Sequence, residues 1–108
     1  MADALQSAWS DVSSRDTVRI ARALDAFREL LPQALMTEGE GGSAHRSALR
    51  GLAHGLDELG REDEARELYR TLAEVCEGAL ADQGLRDEDR EDLFDDHLHA
   101  RAAEQLVG

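Results

Sequence analysis

The sequence predicts an all-α protein, a single-domain antiparallel bundle of four main helices preceded by a short N-terminal helix. Three observations favour this fold. Alanine and leucine dominate the composition, valine and isoleucine are scarce, and there is only one proline. Apolar residues recur at steps of three and four along several segments, which is the period of an amphipathic helix. A length of 108 residues suits one domain with one modest core.

The chain begins with a short predicted helix followed by a long one. The apolar stripe of the short helix consists of Leu5, Ala8, Trp9 and Val12. Trp9 is the only tryptophan, and we expect it to anchor this helix on the core. Ser13, with Asp16 three residues later, is a capping-box pattern that predicts the start of a long helix near residues 15–36. Because Pro32 lacks a backbone N–H, we expect a kink or an end there, with one more turn after it.

A flexible loop is predicted at residues 37–43, where three glycines and two acids occur without an apolar residue. Ser43 is placed to cap the next helix, which is predicted near residues 44–59. The apolar stripe of that helix consists of Leu49, Leu52, Ala53, Leu56 and Leu59. Gly51 and Gly55 lie on its other side. Since glycine costs roughly 1 kcal/mol against alanine inside a helix, their presence indicates close approach by another helix.

Two further helices complete the predicted bundle. Gly60 is predicted to end the preceding helix in a left-handed conformation, and the next helix, near residues 62–82, begins with three carboxylates that interact well with its positive end. Its apolar stripe consists of Ala65, Leu68, Tyr69, Leu72, Val75, Cys76 and Ala79. Asp87 is the predicted N-cap of the last helix, near residues 87–106. The residues of that helix expected to face inward are Leu93, Phe94, Leu98, Ala102 and Leu106.

Residues 46–80 resemble one tetratricopeptide repeat. The positions that match the packing residues of the repeat are Leu49, Leu52, Ala53, Leu56, Gly60, Ala65 and Tyr69. The sequence departs from the repeat at Leu72, where a small residue is usual, and at Glu77, where proline usually ends the unit. The resemblance implies close packing of Ala53 against Ala65 and a groove that binds peptides. The groove positions it implies in this chain are Ser47, Arg50, His54, Asp57 and Glu58.

The formal net charge of −12 is concentrated in the second half of the chain. Residues 1–54 carry six arginines and seven acids, a net charge of −1, whereas residues 55–108 carry six arginines and 17 acids, a net charge of −11. This imbalance argues against direct binding to nucleic acid or to an anionic membrane, and it favours a basic partner. Favourable interaction with a helix start accounts for only part of the acidic run. The acidic face predicted to bind a partner consists of Glu88, Asp92, Asp95 and Asp96.

The sequence gives little support to enzymatic chemistry. There is no lysine, which removes Schiff-base catalysis and the lysine of a phosphate-binding loop. Nucleophile elbows, zinc spacings and dinucleotide fingerprints are absent from the sequence. Asp95 and Asp96 could form a two-ligand pair with His99, but the matching pairs that a di-metal bundle needs are missing. Cys76, the single cysteine, lies on an apolar stripe and is predicted to be a buried structural thiol. We therefore expect neither catalysis nor a metal or cofactor.

The sequence favours a non-enzymatic interaction module, a regulatory adaptor that binds a protein or peptide partner. The alternative is an acidic DNA mimic that inhibits a DNA-binding protein, as anti-restriction and anti-CRISPR proteins do. Whether the chain forms a homodimer is left open. No apolar stretch approaches 18 residues, and the first residues lack the features of a signal peptide. The missing lysine is typical of high-GC bacterial genes, or of halophiles, so we expect a bacterial cytoplasmic protein.

Overall fold

The structure, a computed structural model, describes residues 2–107, and helices are the only regular elements within that range. The five helices are α1 Ala2–Val12, α2 Thr17–Glu38, α3 Ser43–Glu58, α4 Glu62–Leu80 and α5 Asp87–Leu106. The predicted all-α bundle of one short and four long helices is therefore confirmed. Within the described part of the chain, no helix combines the length and apolarity needed to cross a membrane.

Helix α3 occupies the centre of the bundle. Each helix packs on the next one along the chain, and α1 packs on α3 as well as on α2. The core forms two clusters on either side of α3. One surrounds Phe27 between α1, α2 and α3, and the other surrounds Leu72 and Cys76 between α3, α4 and α5. Most residues of α3 are consequently buried, and the residues that remain accessible on it are confined to a narrow face.

The two glycines of α3 allow α2 and α1 to approach its backbone. A Cβ atom on Gly51 would lie 2.2 Å from Cζ of Phe27. A Cβ atom on Gly55 would lie 2.6 Å from Cδ2 of Leu24 and 2.8 Å from Cγ2 of Val12. These separations are too short for real side-chain contacts, so the predicted close approach at both glycines is confirmed.

The turn between α3 and α4 is a Schellman motif. Gly60 has a φ of 77°, and its N–H donates to the carbonyl of Asp57 at 3.0 Å. The N–H of Arg61 donates to the carbonyl of Leu56 at 2.8 Å, which completes the two-bond pattern of the motif. The predicted left-handed residue is confirmed. Because the turn is short, α4 folds back directly on the apolar stripe of α3.

Helix α2 continues through Pro32 to Glu38. Of the kink or end expected at Pro32, the end does not occur, and the further turn expected after the proline is present. Pro32 lies on the exposed side of the helix, where water can satisfy the carbonyl that loses its backbone partner. Leu30 and Ala34, on either side of it, are both buried and hold the helix against the core. Burial of these two flanking residues therefore outweighs the local cost of the proline.

The predicted loop at residues 37–43 is reduced to a connection at residues 39–42, and its predicted cap is wrong. Ser43 is the first residue of α3 rather than its N-cap, and the preceding residue makes no side-chain cap. Glu38, in the last turn of α2, supplies the missing acceptor, because its Oε2 accepts from the N–H of Ala44 at 3.3 Å. The same carboxylate thus belongs to one helix and caps the next.

The start of α2 is capped by Asp16 and not by Ser13. The Asp16 carboxylate accepts from the N–H groups of Val18 at 2.9 Å and Arg19 at 3.3 Å. The predicted N-cap Asp87 lies one position further into its helix than expected, as the first residue of α5. Both differences shift a helix boundary by only a few residues, which is the usual scale of uncertainty at helix ends.

Helix α5 presents a different side to the core from the one predicted. Leu93 is buried as expected, but Phe94 is 54% exposed, Leu98 55% and Leu106 81%. The side that faces the bundle instead consists of Leu93, Asp96, Ala100, Ala103, Glu104 and Val107. Two carboxylates can occupy that side because Asp96 and Glu104 pair with arginines of α3 and α4. Two paired carboxylates therefore lie on the bundle side of α5 beside Leu93 and Ala100, whereas Phe94, Leu98 and Leu106 lie outside.

Candidate functional site

The five predicted groove residues lie on one arc of α3, as their spacing requires. We call this set the α3 face; it consists of Ser47, Arg50, His54, Asp57 and Glu58. Asp57 and Glu58, near the C-terminal end of the helix, are exposed. The other three are half-buried, because residues of α1 and α5 contact them from either side. The α3 face is therefore exposed at the C-terminal end of the helix and half-buried elsewhere, where α1 and α5 flank it.

On one side, α1 contacts the α3 face through Trp9. The indole Nε1–H donates to the hydroxyl of Ser47 at 2.9 Å. The same ring stacks on His54 with a centroid separation of 6.3 Å and an interplanar angle of 21°, and it meets Phe27 edge-on at 5.8 Å. Trp9 thus anchors α1 on the core, as predicted, and also forms one wall of the α3 face.

On the other side, α5 contacts α3 through Asp96. One carboxylate oxygen accepts from Arg46, and the other accepts from Nη1 of Arg50 at 3.3 Å. The side chains of Arg46 and Asp96 are only 10% and 19% exposed, whereas Arg50 is 41% exposed. The prediction that Asp96 belongs to an exposed acidic face is therefore wrong, because two arginines hold it against α3. Arg50 keeps part of its guanidinium available to a ligand.

Tyr69 and His99 extend the α3 face, and the sequence did not place them there. Their rings meet edge-on with centroids 6.0 Å apart. Burial raises the pKa of Tyr69, and the nearby carboxylate of Asp57 raises it further. Partial burial lowers the pKa of His99, and the neighbouring Arg50 guanidinium lowers it again. His99 follows Asp96 by three residues, so the spacing that suggested a metal pair also indicates that both side chains share one side of α5.

A second set of ion pairs fixes α5 on α4. Glu77 accepts from Arg101 at 2.6 Å and pairs with His97 at 3.0 Å, and these hydrogen bonds lower the pKa of Glu77. Glu104 accepts from Nε of Arg70 at 3.0 Å and from Arg101 at 3.0 Å, which lowers the pKa of Glu104. Because these groups connect two helices, they set the rotation of α5 about its axis and hence which residues it exposes.

The remaining predicted acidic residues, Glu88, Asp92 and Asp95, are exposed on α5. Their spacing of four and three residues places them along one exposed side of that helix. Asp92 faces the connection at residues 39–42, where it lines an open cavity of about 400 Å³. Asp95 lies beside Phe94 and lines a separate open cavity of about 510 Å³. The structure thus brings Asp96 to the α3 face and leaves the other three acids exposed on a neighbouring side of α5.

The connection at residues 39–42 is held in place by two side chains of α3. Nδ1 of His45 accepts from the N–H of Gly41 at 3.1 Å, and Nε of Arg46 donates to the carbonyl of Gly41 at 3.0 Å. Both side chains are buried. Burial lowers the pKa of His45, and the carboxylate of Glu40 opposes that change more weakly. Since Arg46 also binds Asp96, this connection and the contact between α3 and α5 depend on the same arginine.

Two further observations concern the reactive side chains of the described residues. Cys76 is buried, as predicted, and burial raises its pKa to about 11, which keeps the thiol protonated at neutral pH. Among residues 2–107, no group of three or more histidine, cysteine or acidic side chains is arranged to hold a metal ion. Comparisons of the chain with protein-family models, with curated proteins and with solved structures found no match.

Proposed function

We propose that the chain is a non-enzymatic interaction module that binds a protein or peptide partner across the α3 face. The observation that carries this proposal is that three helices supply side chains to one surface. Trp9 comes from α1, Arg50 from α3 and His99 from α5. Stacking fixes Trp9, an ion pair fixes Arg50 and an edge contact fixes His99. These side chains would therefore lose little conformational entropy when a ligand binds.

The order in which the helices pack supports a repeat-like role for the α3–α4 hairpin. The α1–α2 and α3–α4 pairs lie next to each other, and α1 contacts α3. In repeat proteins, neighbouring hairpins stack in this way, and the stacked helices form an extended binding surface. Ala53 and Ala65, which the resemblance requires at the close contact, are both 0% exposed and lie in the same core cluster. Helix α5 then covers the outer side of α4.

The groups on the α3 face indicate what kind of segment it would bind. Asp57 and Glu58 are exposed carboxylates at one end, where a lysine or arginine of a partner would find an opposite charge. Trp9, His54 and His99 present ring edges and faces nearby, which suit an apolar or aromatic side chain. A short basic segment with an apolar residue therefore fits this face better than an acidic one.

The proposal is tested by titration of a partner captured from the native host. Asp57→Asn with Glu58→Gln removes two exposed charges without loss of volume, and His54→Ala removes one ring beside Trp9. We expect each variant to bind the partner about tenfold more weakly or worse. The matched control, Asp25→Asn with Glu29→Gln, removes two exposed charges from α2. Equal affinity of the control and the α3-face variants would reject the α3 face as the binding surface.

An acidic DNA mimic is the second candidate function. It is favoured by Glu88, Asp92 and Asp95, which are exposed and which make no ion pair within residues 2–107. Binding of this kind depends on summed charge and should fall steeply as salt increases, because the Debye length shortens to about 8 Å at physiological ionic strength. If Glu88→Gln, Asp92→Asn and Asp95→Asn together abolish binding while the α3-face variants do not, the mimic explains the function better.

A further inference from the structure

Helix α5 carries an apolar ridge on the side that faces away from the bundle. The ridge recurs at every fourth residue and consists of Phe94, Leu98, Ala102 and Leu106. All four residues are exposed, and they include three of the large apolar side chains that the protein leaves in water. The ion pairs of Asp96 and Glu104 fix the opposite side of α5 on the bundle, so the exposure of the ridge is built into the fold. Adjacent exposed apolar residues of this size are typical of an interaction surface.

Carboxylates run alongside this α5 ridge without compensating charges. Asp87, Glu91 and Asp95 form the neighbouring row on the helix surface, and none of the three makes an ion pair within the described part of the chain. The arginines of α5 are engaged elsewhere. Arg90 donates to backbone carbonyls at the end of α4, at 3.2 and 3.3 Å, and Arg101 binds Glu77 and a second carboxylate. The ridge is therefore apolar along its length and negative at its N-terminal end, since the row of carboxylates ends at Asp95 and continues with His99.

An open cavity lies at the N-terminal end of the ridge. It has a volume of about 510 Å³ and is lined by Asp87, Arg90, Glu91, Phe94 and Asp95. The aromatic ring and the three carboxylates in its wall can contact the aliphatic stem and the charged head of one long basic side chain. The carboxylates outnumber the one cation of the wall, Arg90, which donates to two backbone carbonyls. An arginine or lysine of a partner would thus bury its stem against Phe94 while its head meets carboxylates.

We propose that the α5 ridge docks a basic amphipathic helix of a partner protein. Apolar residues of that helix would pack on Phe94 and Leu98, and its lysines or arginines would meet the row of Asp87, Glu91 and Asp95. A second copy of this chain fits less well, because the arginines of α5 are held by Glu77, Glu104 and backbone carbonyls and do not offer a matching cation to these carboxylates. The proposal uses residues that the α3 face does not, and Asp95 is the one that borders that face, one helical turn before His99.

A synthetic helix provides a direct probe. We would label a peptide of roughly 18 residues, long enough to form an isolated helix, with leucines on one face and arginines on the other. Its binding is measured by fluorescence anisotropy at about 0.15 M salt, where exposed charges are partly screened. A peptide of the same composition in scrambled order keeps the charge and loses the amphipathic face. We expect the ordered peptide to bind at least about tenfold more tightly than the scrambled one.

Two pairs of variants locate the binding site. Phe94→Ala with Leu98→Ala removes the apolar contact, and Glu91→Gln with Asp95→Asn removes the charge. We expect each pair to weaken peptide binding about tenfold or more. All four side chains are exposed, so circular dichroism and the melting temperature should stay close to those of the wild type.

Matched controls on α2 separate the ridge from general charge attraction. Val18→Ala with Met36→Ala removes two exposed apolar side chains there, and Asp25→Asn with Glu29→Gln removes two exposed charges. We expect both controls to bind within about twofold of the wild type. Equal losses in the controls, or equal binding of the scrambled peptide, would overturn the proposal. So would a wild-type dimer in sedimentation velocity that the Phe94 and Leu98 pair converts to a monomer, because the ridge would then serve self-association.

Discussion

Asp96→Asn is predicted to destabilise the protein far more than the same change at the next residue, Asp95→Asn. Asp96 holds two arginines of α3, and its side chain is 19% exposed. Without its negative charge, the buried guanidinium of Arg46 retains only the carbonyl of Gly41 as a strong acceptor. Arg50 is half-exposed and can turn toward water. The cost therefore arises mainly at Arg46.

The expected loss follows from the burial of Arg46. Removal of one partner from a buried ion pair usually costs about 3–5 kcal/mol, because the remaining charge is left without compensation. Asparagine keeps one acceptor oxygen, so we expect the lower end, about 3 kcal/mol. For a protein of this size, such a loss lowers the melting temperature by roughly 10 °C or more. Asp95 is exposed and makes no ion pair in the described residues, so its loss should cost less than about 0.5 kcal/mol.

Urea unfolding followed by circular dichroism measures both variants. A third protein, with Arg46→Met and Asp96→Leu together, removes both members of the pair and should recover part of the stability lost in Asp96→Asn. If Asp96→Asn and Asp95→Asn unfold at the same urea concentration, Asp96 does not hold α5 on α3, and the argument from burial is refuted.

Three further predictions concern the core and the connection at residues 39–42. Gly51→Ala should lower the free energy of unfolding by about 2 kcal/mol, because its Cβ would overlap the Phe27 ring. Gly78→Ala, with open space around it, should raise that free energy by up to about 1 kcal/mol. Paired thermal melts compare the two variants. Cys76, whose pKa is raised to about 11 by burial, should react with iodoacetamide at about pH 8 at least a hundredfold more slowly in the native protein than in urea. Burial lowers the pKa of His45, so the unfolded chain binds its proton more readily, and stability should fall as the pH drops through 6.5. His45→Asn, which keeps an acceptor near Gly41, should reduce the loss of stability measured in urea between about pH 7 and pH 5.5.

The sequence predicted those parts of the fold that depend on residues close together in the chain. The period of apolar residues located every helix, and Gly60 marked the turn into α4. The glycines at positions 51 and 55 predicted a close approach, because their cost inside a helix requires a reason. These features arise from local geometry and from the packing of one helix side, and both leave a readable pattern.

The errors arose where a distant residue satisfied a polar group. Asp96 was predicted to lie on an acidic face and no partner was predicted for Glu104, but Arg46 lies 50 residues from Asp96 and Arg70 lies 34 residues from Glu104. Neither partner can be inferred from spacing. Because Asp96 and Glu104 face the bundle, Phe94, Leu98 and Leu106 lie on the exposed side of α5. The two missed pairings therefore account for the error in the predicted orientation of this helix. The cap of α3 was missed in the same way, because Glu38 supplies it from the preceding helix.

The sequence predicted which residues of α3 belong to the candidate site, but not which residues of α1 and α5 border them. Helical spacing places Ser47, Arg50 and His54 on one arc, and the structure has them there. The stacking of Trp9 on His54 and the pairing of Asp96 with Arg50 join residues that are more than 40 positions apart. Such contacts determine which residues of the arc stay free for a ligand, and no pattern in the sequence indicates them.

Site-specific photocrosslinking in the native host would test the proposed interaction function most directly. A photoreactive phenylalanine analogue replaces Glu58 on the α3 face in one protein and Glu29 on α2 in another, and both positions are exposed. The proposed function predicts a covalent adduct with one protein from position 58 and little or none from position 29. An adduct that forms equally at both positions, or only at position 29, would contradict binding at the α3 face.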